Sequence, residues 1–370
     1  MKISDALVRF AADTGRSDVT LYTKFQDYFC HYMSEHDKKN IGSFDKSVDL
    51  QAKEQEMYKD FLAEVERMSN TKLTGDVNDM AVQANNPMVK YAAFAVVNAM
   101  IEAILPMTII DSIGVYTDIR NVDFGDSMNF EIKPRSLFTV SQGANAQRTA
   151  FIQKQFSANK TIVPVNHAVT VQVALYKVLS GKESLAEFAR KAVLSIETEM
   201  TKDAYGAFTT GLNAVTMPAA LSVTGYTQQD LLSICQRVTA YNQGANATIV
   251  GTAVALSNIL PNGADGYRIV TNSDNISIQL IRNFFGYDII VLPQVATGNY
   301  STFDMALNDD EIYVLSPSSD KLVKGVIEGT MLTNSNDFYD NANLTQNATF
   351  NKRWQFEFVS NAVAGIVHLQ

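Results

Sequence analysis

Cysteine is almost missing from this chain: Cys30 and Cys235 are the only two in 370 residues. They stand far apart and form no ligand pattern, which argues against a disulfide framework or a zinc site and fits a reducing compartment. Proline is scarce, eight in all, and the first 80 positions hold none, with only three glycines. That segment is therefore free of helix breakers. No uninterrupted apolar run of membrane-spanning length occurs. The most apolar stretch, 92–110, is broken by Asn98, Glu102 and Pro106, so it reads as a buried helix and not a membrane span. Met1-Lys2 leads into Ser4-Asp5 with no apolar run behind it, so no signal peptide is expected. Sequence signatures of common chemistry are missing as well. There is no Gly-rich phosphate cradle, no Gly-x-Ser-x-Gly elbow and no His-Glu-x-x-His.

The most informative absence is one of charge. The chain carries a formal net charge of −9, yet positions 132–182 contain no Asp or Glu. They hold Lys133, Arg135, Arg148, Lys154, Lys160, Lys177 and Lys182, so the remainder carries about −16. Such a basic excursion fits poorly on an isolated globule and well across the acidic surface of another copy. The overall acidity argues against nonspecific nucleic-acid binding, which needs cations facing phosphates. Composition is 46% hydrophobic and 19% charged, which reads as folded, and the length allows two or more compact units.

What is present divides into segments. Met57, Phe61, Val65 and Met68 recur at helical spacing among Glu54, Glu56, Asp60 and Glu64, which predicts an amphipathic helix. The segment reads as helices on an arm, with a small helical domain as the alternative. Asn86-Pro87 caps a second helix carrying Tyr91, Phe94, Val97, Ile101 and Leu105, and Pro106 is expected to stop it. Strands follow over 115–119 and 128–133, joined by a turn at 123–126 in which Gly125 is free to take positive φ. The basic stretch then reads as a long hairpin-like loop. Its outgoing limb is 129–133. Its return limb is 165–173, where Val165, His167, Val169, Val171 and Val173 alternate with polar residues. A loop of this length implies work outside its own domain.

Ser180 and Glu183 fit a capping box for a helix over 182–210, roughly 40 Å long, with an apolar stripe of Leu185, Phe188, Ala192, Ile196 and Met200. Gly211 suits its C-terminal cap, and Gly206 weakens its last turns. From Thr227 helices and strands alternate. Thr227 and Asp230 cap a helix with Leu231, Ile234 and Val238; 248–251 is a short buried strand; a helix starts at Ser273-Asp274; and 287–292 is a central strand. This is a mixed α/β layer. A strand pair, 312–315 and 322–327, follows about a turn at 317–320. An Asn-rich loop comes next, with Asn334, Asn336, Asn341, Asn343, Asn347 and Asn351. Trp354, Phe356 and Phe358 then alternate with Gln355 and Glu357 in a strand that buries one aromatic face.

Candidate ion sites are weak. Cys30, His31 and His36 lie close, but a five-residue His spacing does not put both rings on one helical face. Asp309-Asp310-Glu311 reads as an exposed turn before a strand. The segment 337–347 has oxygen ligands without the glycine and terminal glutamate of a calcium loop. His167, inside a strand, reads as a packing or interface residue.

Several stretches carry a resemblance. "GDSMNFEIKPRSLFTVSQGANAQRTAF" resembles the outgoing arm of an extended loop, and "TIVPVNHAVTVQVALYKVLSGKESLAEFARKAVLSIETEM" resembles its return strand running into a spine helix. "RNFFGYDIIVLPQV", "DEIYVLSPSSDKLVKGVIEG" and "NKRWQFEFVSNAVAGIV" resemble axial-domain, return and terminal strands. Their order, over about 87–370, is similar to that of the major capsid proteins of tailed bacteriophages, the Hong Kong 97 type.

The resemblance implies an α+β fold in seven stretches. These are an N-terminal helical arm (1–86), a peripheral domain (87–128), an extended β-hairpin loop (129–175) and a spine helix (176–224). A mixed α/β axial domain (225–313), peripheral return strands (314–357) and a last axial strand (358–370) complete it. It implies a structural subunit, not an enzyme, with no cofactor. The subunit would form pentamers and hexamers of an icosahedral virion capsid, assembled in the bacterial cytoplasm with a separate scaffolding protein, a portal and a possible decoration protein. It would enclose double-stranded DNA without specific binding and touch no membrane. Lys133, Arg135, Arg148, Lys154 and Lys160 would meet the neighbouring subunit. Some members weld subunits through a loop lysine and a neighbour's asparagine beside a buried glutamate, for which Lys154, Lys160, the Asn334–Asn351 cluster and Glu357 have the right types. An encapsulin-like nanocompartment shell and an α/β enzyme are the alternatives. The long arm argues against the first and the missing catalytic constellation against the second.

Overall fold

A computed structural model describes residues 20–36, 42–74, 76–113, 116–132, 156–214, 217–259, 283–297, 301–317, 320–329, 331–335 and 346–369. The chain opens with helices α1 (Thr20–His36) and α2 (Leu50–Ser69). Phe25, Phe29 and Met33 of α1 and Met57, Phe61 and Val65 of α2 are all buried in the principal hydrophobic core. Over these residues the segment is therefore neither an outlying arm nor a separate domain. Leaving six large apolar side chains in water would cost about 1.5–3 kcal/mol each, which draws both helices onto the body. Lys53 ties them together: its ammonium, 2.6 Å from Asp27, also donates to the Asp45 carbonyl. The Tyr58 hydroxyl donates to the Leu179 carbonyl at 2.6 Å, and the Arg190 guanidinium lies 4.4 Å from the Tyr32 ring centre.

After the short α3 (Val77–Gln83) comes α4 (Pro87–Ile113). Asn86 Oδ1 accepts from the Met88 N–H at 3.1 Å, as its capping role predicts. Pro106 does not end the helix, which continues to Ile113. Proline removes one N–H, but its fixed φ is compatible with helix, and the buried row Val89, Val96, Met100 and Ile104 holds α4 against the core. Among the described residues no helix is long and apolar enough to cross a membrane.

A five-stranded sheet is built around one long strand. Its members are β1 (Thr117–Val122), β4 (Val165–Val173), β10 (Val323–Glu328), β11 (Leu332–Ser335) and β12 (Gln346–Phe358). β12 pairs along one edge with β4, from Gln346↔Val173 to Trp354↔Val165. Its other edge takes β11 and then β10, and β1 lies parallel to β10 beyond. The 165–173 strand is present, but it is not the partner of the outgoing limb. That limb, β2 (Met128–Ile132), pairs with β3 (Ala158–Ile162). Valines at alternate positions of β4 find a better apolar surface on β12 than a polar hairpin offers.

The spine helix α6 (Leu185–Ala214) follows the short α5 (Leu175–Leu179) and crosses this sheet. Its N-cap is Ser184, whose Oγ accepts from the Glu187 N–H at 3.1 Å. Ser180 instead closes α5, where Gly181 takes φ +69°, and Glu183 pairs with Lys177 at 3.1 Å. Ser184 and Glu187 repeat the same spacing one turn later, directly before the apolar stripe, so the chain uses that start. Gly211 is not a cap: α6 runs through it, and a Cβ there would fall inside the Phe358 side chain of β12. Trp354, on the same buried face, donates its indole N–H to Asp203 of α6 at 2.8 Å.

The second sheet has six strands in the order β5 (Ser222–Thr224), β13 (Gly365–His368), β9 (Glu311–Leu315), β6 (Thr248–Gly251), β8 (Tyr287–Val291), β7 (Asn283–Phe284). β9 is buried on both faces. Ile312 and Val314 pack with Leu231, Ile234 and Val238 of α7 (Gln228–Tyr241), while Tyr313 and Leu315 face the spine-helix core. Thr227 caps α7 through the Asp230 N–H at 3.1 Å. β9 and β10 do not pair with each other, because they belong to different sheets. β8 lies next to the edge strand, not at the centre. The helix expected from Ser273 lies outside the described residues.

Between α4 and β12 sits a buried charge cluster. Lys352 occupies the aromatic face of β12, only 5% exposed, and its ammonium donates to the Gly329 carbonyl at 3.0 Å. Asn98 donates to the Met331 carbonyl at 2.9 Å, and Glu102 accepts from the Met331 N–H. Burial raises the Glu102 carboxyl, opposed by the Lys352 charge; burial lowers the Lys352 ammonium, opposed by Glu102 and Glu328.

Two outcomes follow from these contacts. Gly206→Ala, where a Cβ meets nothing within 4 Å, should stabilise by about 1 kcal/mol, whereas Gly211→Ala should destabilise by about 1–3 kcal/mol. Denaturant titration checks both. Glu102 binds its proton more tightly folded than unfolded. It therefore favours the fold at acid pH, and that contribution is lost as pH rises from the ordinary value of 4.5 through the folded value. Glu102→Gln should accordingly gain stability relative to the parent as pH climbs above 4.5; melting curves with a pH-independent difference would contradict this.

Candidate functional site

The acid-free stretch begins at the last residue of β2 and includes β3, and these two strands pair from Met128↔Ile162 to Ile132↔Ala158. The pair has a small core of its own. Phe130 and Ile162 of the hairpin pack on Val326 of β10 and on Val359, all buried. The Arg120 guanidinium covers the Phe130 ring at 4.9 Å.

Of the residues expected to meet a neighbour, Lys133, Arg135, Arg148 and Lys154 lie outside the described residues. Lys160 is on β3, and its ammonium forms an ion pair of 2.9 Å with Glu357 on β12 of the same chain. The structure thus brings together two of the residue types singled out for a weld, but as a partly exposed pair within one subunit. From the asparagine cluster, Asn351 accepts from Asn166 at 3.4 Å. Asn334 and Asn347 sit in β11 and β12, and Asn336, Asn341 and Asn343 lie outside the described residues. His167 stacks on Trp354, ring centres 3.8 Å apart and 7° from parallel, with Nε2 3.4 Å from Asp203. It is a packing residue that fastens β4 to β12 and α6. Among the described residues no cluster of His, Cys, Asp and Glu could hold a metal ion.

Sequence reasoning missed Arg353 and Glu328. Arg353 of β12 reaches Glu328 at 3.0 Å, the Pro164 carbonyl at 2.9 Å and the face of Phe124 at 5.9 Å. Glu328 ends β10 with no exposed surface and also accepts from the Gly125 N–H. The alternation of β12 signals a buried cation at Lys352, two positions before Trp354 on the aromatic face, but gives no such signal for Arg353 on the opposite face. Together these contacts tie β2, β3 and the turn before β2 to the five-stranded sheet.

A comparison with protein-family models matches residues 31–368 to "SPbeta prophage-derived putative capsid protein YonB". A comparison with curated proteins returned no match. Among solved structures, the capsid of a native GTA particle computed with C5 symmetry is similar at 12% identity and a TM-score of 0.51, covering 70% of this chain and 89% of that one. The capsid of the cyanophage P-SCSP1u gives 12% identity and a TM-score of 0.46, over 70% and 87% of the two chains. A virus-like particle from Pyrococcus furiosus gives 9% and 0.42, over 72% and 97%. At 12% identity the GTA likeness speaks to the fold, which is the Hong Kong 97 type. The family rests on the match that spans nearly the whole chain: this protein belongs to the YonB family of SPbeta prophage-derived capsid proteins.

Proposed function

We propose that this chain is the major capsid protein of a phage-like particle, a structural subunit that builds pentamers and hexamers of an icosahedral head around double-stranded DNA. The family match over residues 31–368 carries the reading. The body supports it: two sheets share a spine helix, and the β2–β3 pair packed on the five-stranded sheet continues in the sequence into a basic, acid-free segment. In this reading the continuation lies across a neighbouring copy through Lys133, Arg135, Arg148 and Lys154, with Lys160 held at the root by Glu357. A separate scaffolding protein and a portal direct assembly in the bacterial cytoplasm, and DNA is enclosed without specific binding, since an acidic subunit offers few cations to phosphates.

Expression alone or with a scaffold should yield rings, shells or aberrant polycapsids by electron microscopy; a monodisperse monomer would contradict the proposal. Exposed ion pairs are worth at most about 1 kcal/mol each, but a closed shell repeats them at every contact. Arg148→Glu combined with Lys154→Glu should therefore leave the subunit folded, with unchanged circular dichroism, yet weaken or block assembly. Wild-type particles should loosen at salt well above the level where the Debye length is about 8 Å. Normal assembly of the double variant, insensitive to salt, would mean that packing or backbone pairing holds the loop.

A further inference from the structure

The extended hairpin is joined to the body by two legs. The entering leg passes through the turn at 123–126, and the leaving leg passes through Val163 and Pro164 into β4. Three kinds of contact hold the root. One is the four-residue apolar cluster of Phe130, Ile162, Val326 and Val359, but apolar contact is non-directional and tolerates a swing of the hairpin. Another is the Lys160–Glu357 pair, partly exposed and therefore weak. The third differs in kind. The fully buried Glu328 accepts from the Gly125 N–H on the entering leg. It also accepts from Arg353, whose second terminal nitrogen donates to the Pro164 carbonyl on the leaving leg. Phe124, 57% exposed on the entering leg, lies under the same guanidinium. One charge pair, its carboxylate fully buried and its guanidinium partly so, thus binds both legs through charge-assisted, directional hydrogen bonds. Both partners belong to the central sheet, Glu328 to β10 and Arg353 to β12, so the frame of reference is rigid.

We propose that the Glu328–Arg353 pair is the joint that fixes the direction in which the hairpin leaves the body, making both positioning residues for contact with a second copy of this chain. The assignment to assembly rests on the capsid reading above; the joint itself is a property of the single subunit. A looser joint would let the hairpin meet its neighbour over a broad range of angles, and a closed shell of one size needs a narrow, defined set of them.

Hydrogen exchange on the soluble subunit tests the joint, and particle diameter tests its consequence. Arg353→Met keeps the apolar stem and removes the guanidinium. The double variant Glu328→Gln with Arg353→Met also removes the buried carboxylate, so it remains informative if the single variant fails to fold. In whichever of the two folds, amides over 123–132 and 158–165 should exchange at least tenfold faster, while those of α6 keep their protection. Arg353→Lys, which keeps a charge toward Glu328 without the planar fork, should restore the 123–132 leg more than the 158–165 leg. Particles of the double variant should spread in diameter. Unchanged exchange at both legs in the double variant would overturn the joint. If the wild type forms no particles, the capsid reading falls while the exchange result still decides the joint.

Discussion

The five-stranded sheet of this protein is registered against the packing of β12 on the spine helix α6. β12 is the strand to which β4, β10 and β11 all pair. Its buried face is held on α6 by a directional bond, Trp354 to Asp203, and by close approach of Phe358 to Gly211. Side-chain alternation in a strand has a period of two, so fixing Trp354 and Phe358 inward fixes Lys352 inward and Arg353 and Glu357 toward the other face. The buried Lys352–Glu102 cluster and the root of the hairpin are consequences of that one register.

The same helix links the two halves. Tyr205 of α6 donates to the Pro293 carbonyl beside the six-stranded sheet at 2.8 Å, and Phe208 meets Tyr313 of β9 edge-on at 4.8 Å. β9 is buried on both faces because it serves two cores at once, which is how the second sheet joins the body without pairing to the first. The β2–β3 pair packs on this body through Phe130 and Ile162. Its continuation carries positive charge with no acid, on a chain that is otherwise acidic. Rigid body, directed projection and charge of the opposite sign are the physical requirements of a subunit that recognises copies of itself.

Local patterns were legible in the sequence, and non-local pairings were not. The α2 stripe, the Thr227 cap, the turn at Gly125 and the aromatic alternation of β12 are short-range signals, and each is found where its pattern placed it. The partner of β4 lies about 180 residues further on, and nothing within 165–173 distinguishes β12 from the nearer β2. Neighbouring strands 312–315 and 322–327 read as a hairpin because sheet membership is set by what each strand buries, not by their spacing. Two overlapping capping boxes, at Ser180 and Ser184, could be separated only by knowing that Gly181 ends α5. The glycine at 211 looked like a helix stop because its reason, Phe358, lies far along the chain. At the site, Lys160 and Glu357 were singled out by type for contact between subunits, and the structure shows them as an ion pair within one chain. Arg353 and Glu328 went unnoticed because their importance comes from two loops that meet only in three dimensions.

The central claim is that this subunit recognises its own copies through the hairpin. A cryo-electron-microscopy map of assembled particles tests it directly. The account predicts continuous density for 133–155 running from β2 across a neighbouring subunit and back to β3, with Lys160 still against Glu357 of its own chain. Density that turns back onto the subunit's own five-stranded sheet, leaving the neighbour untouched, would contradict it.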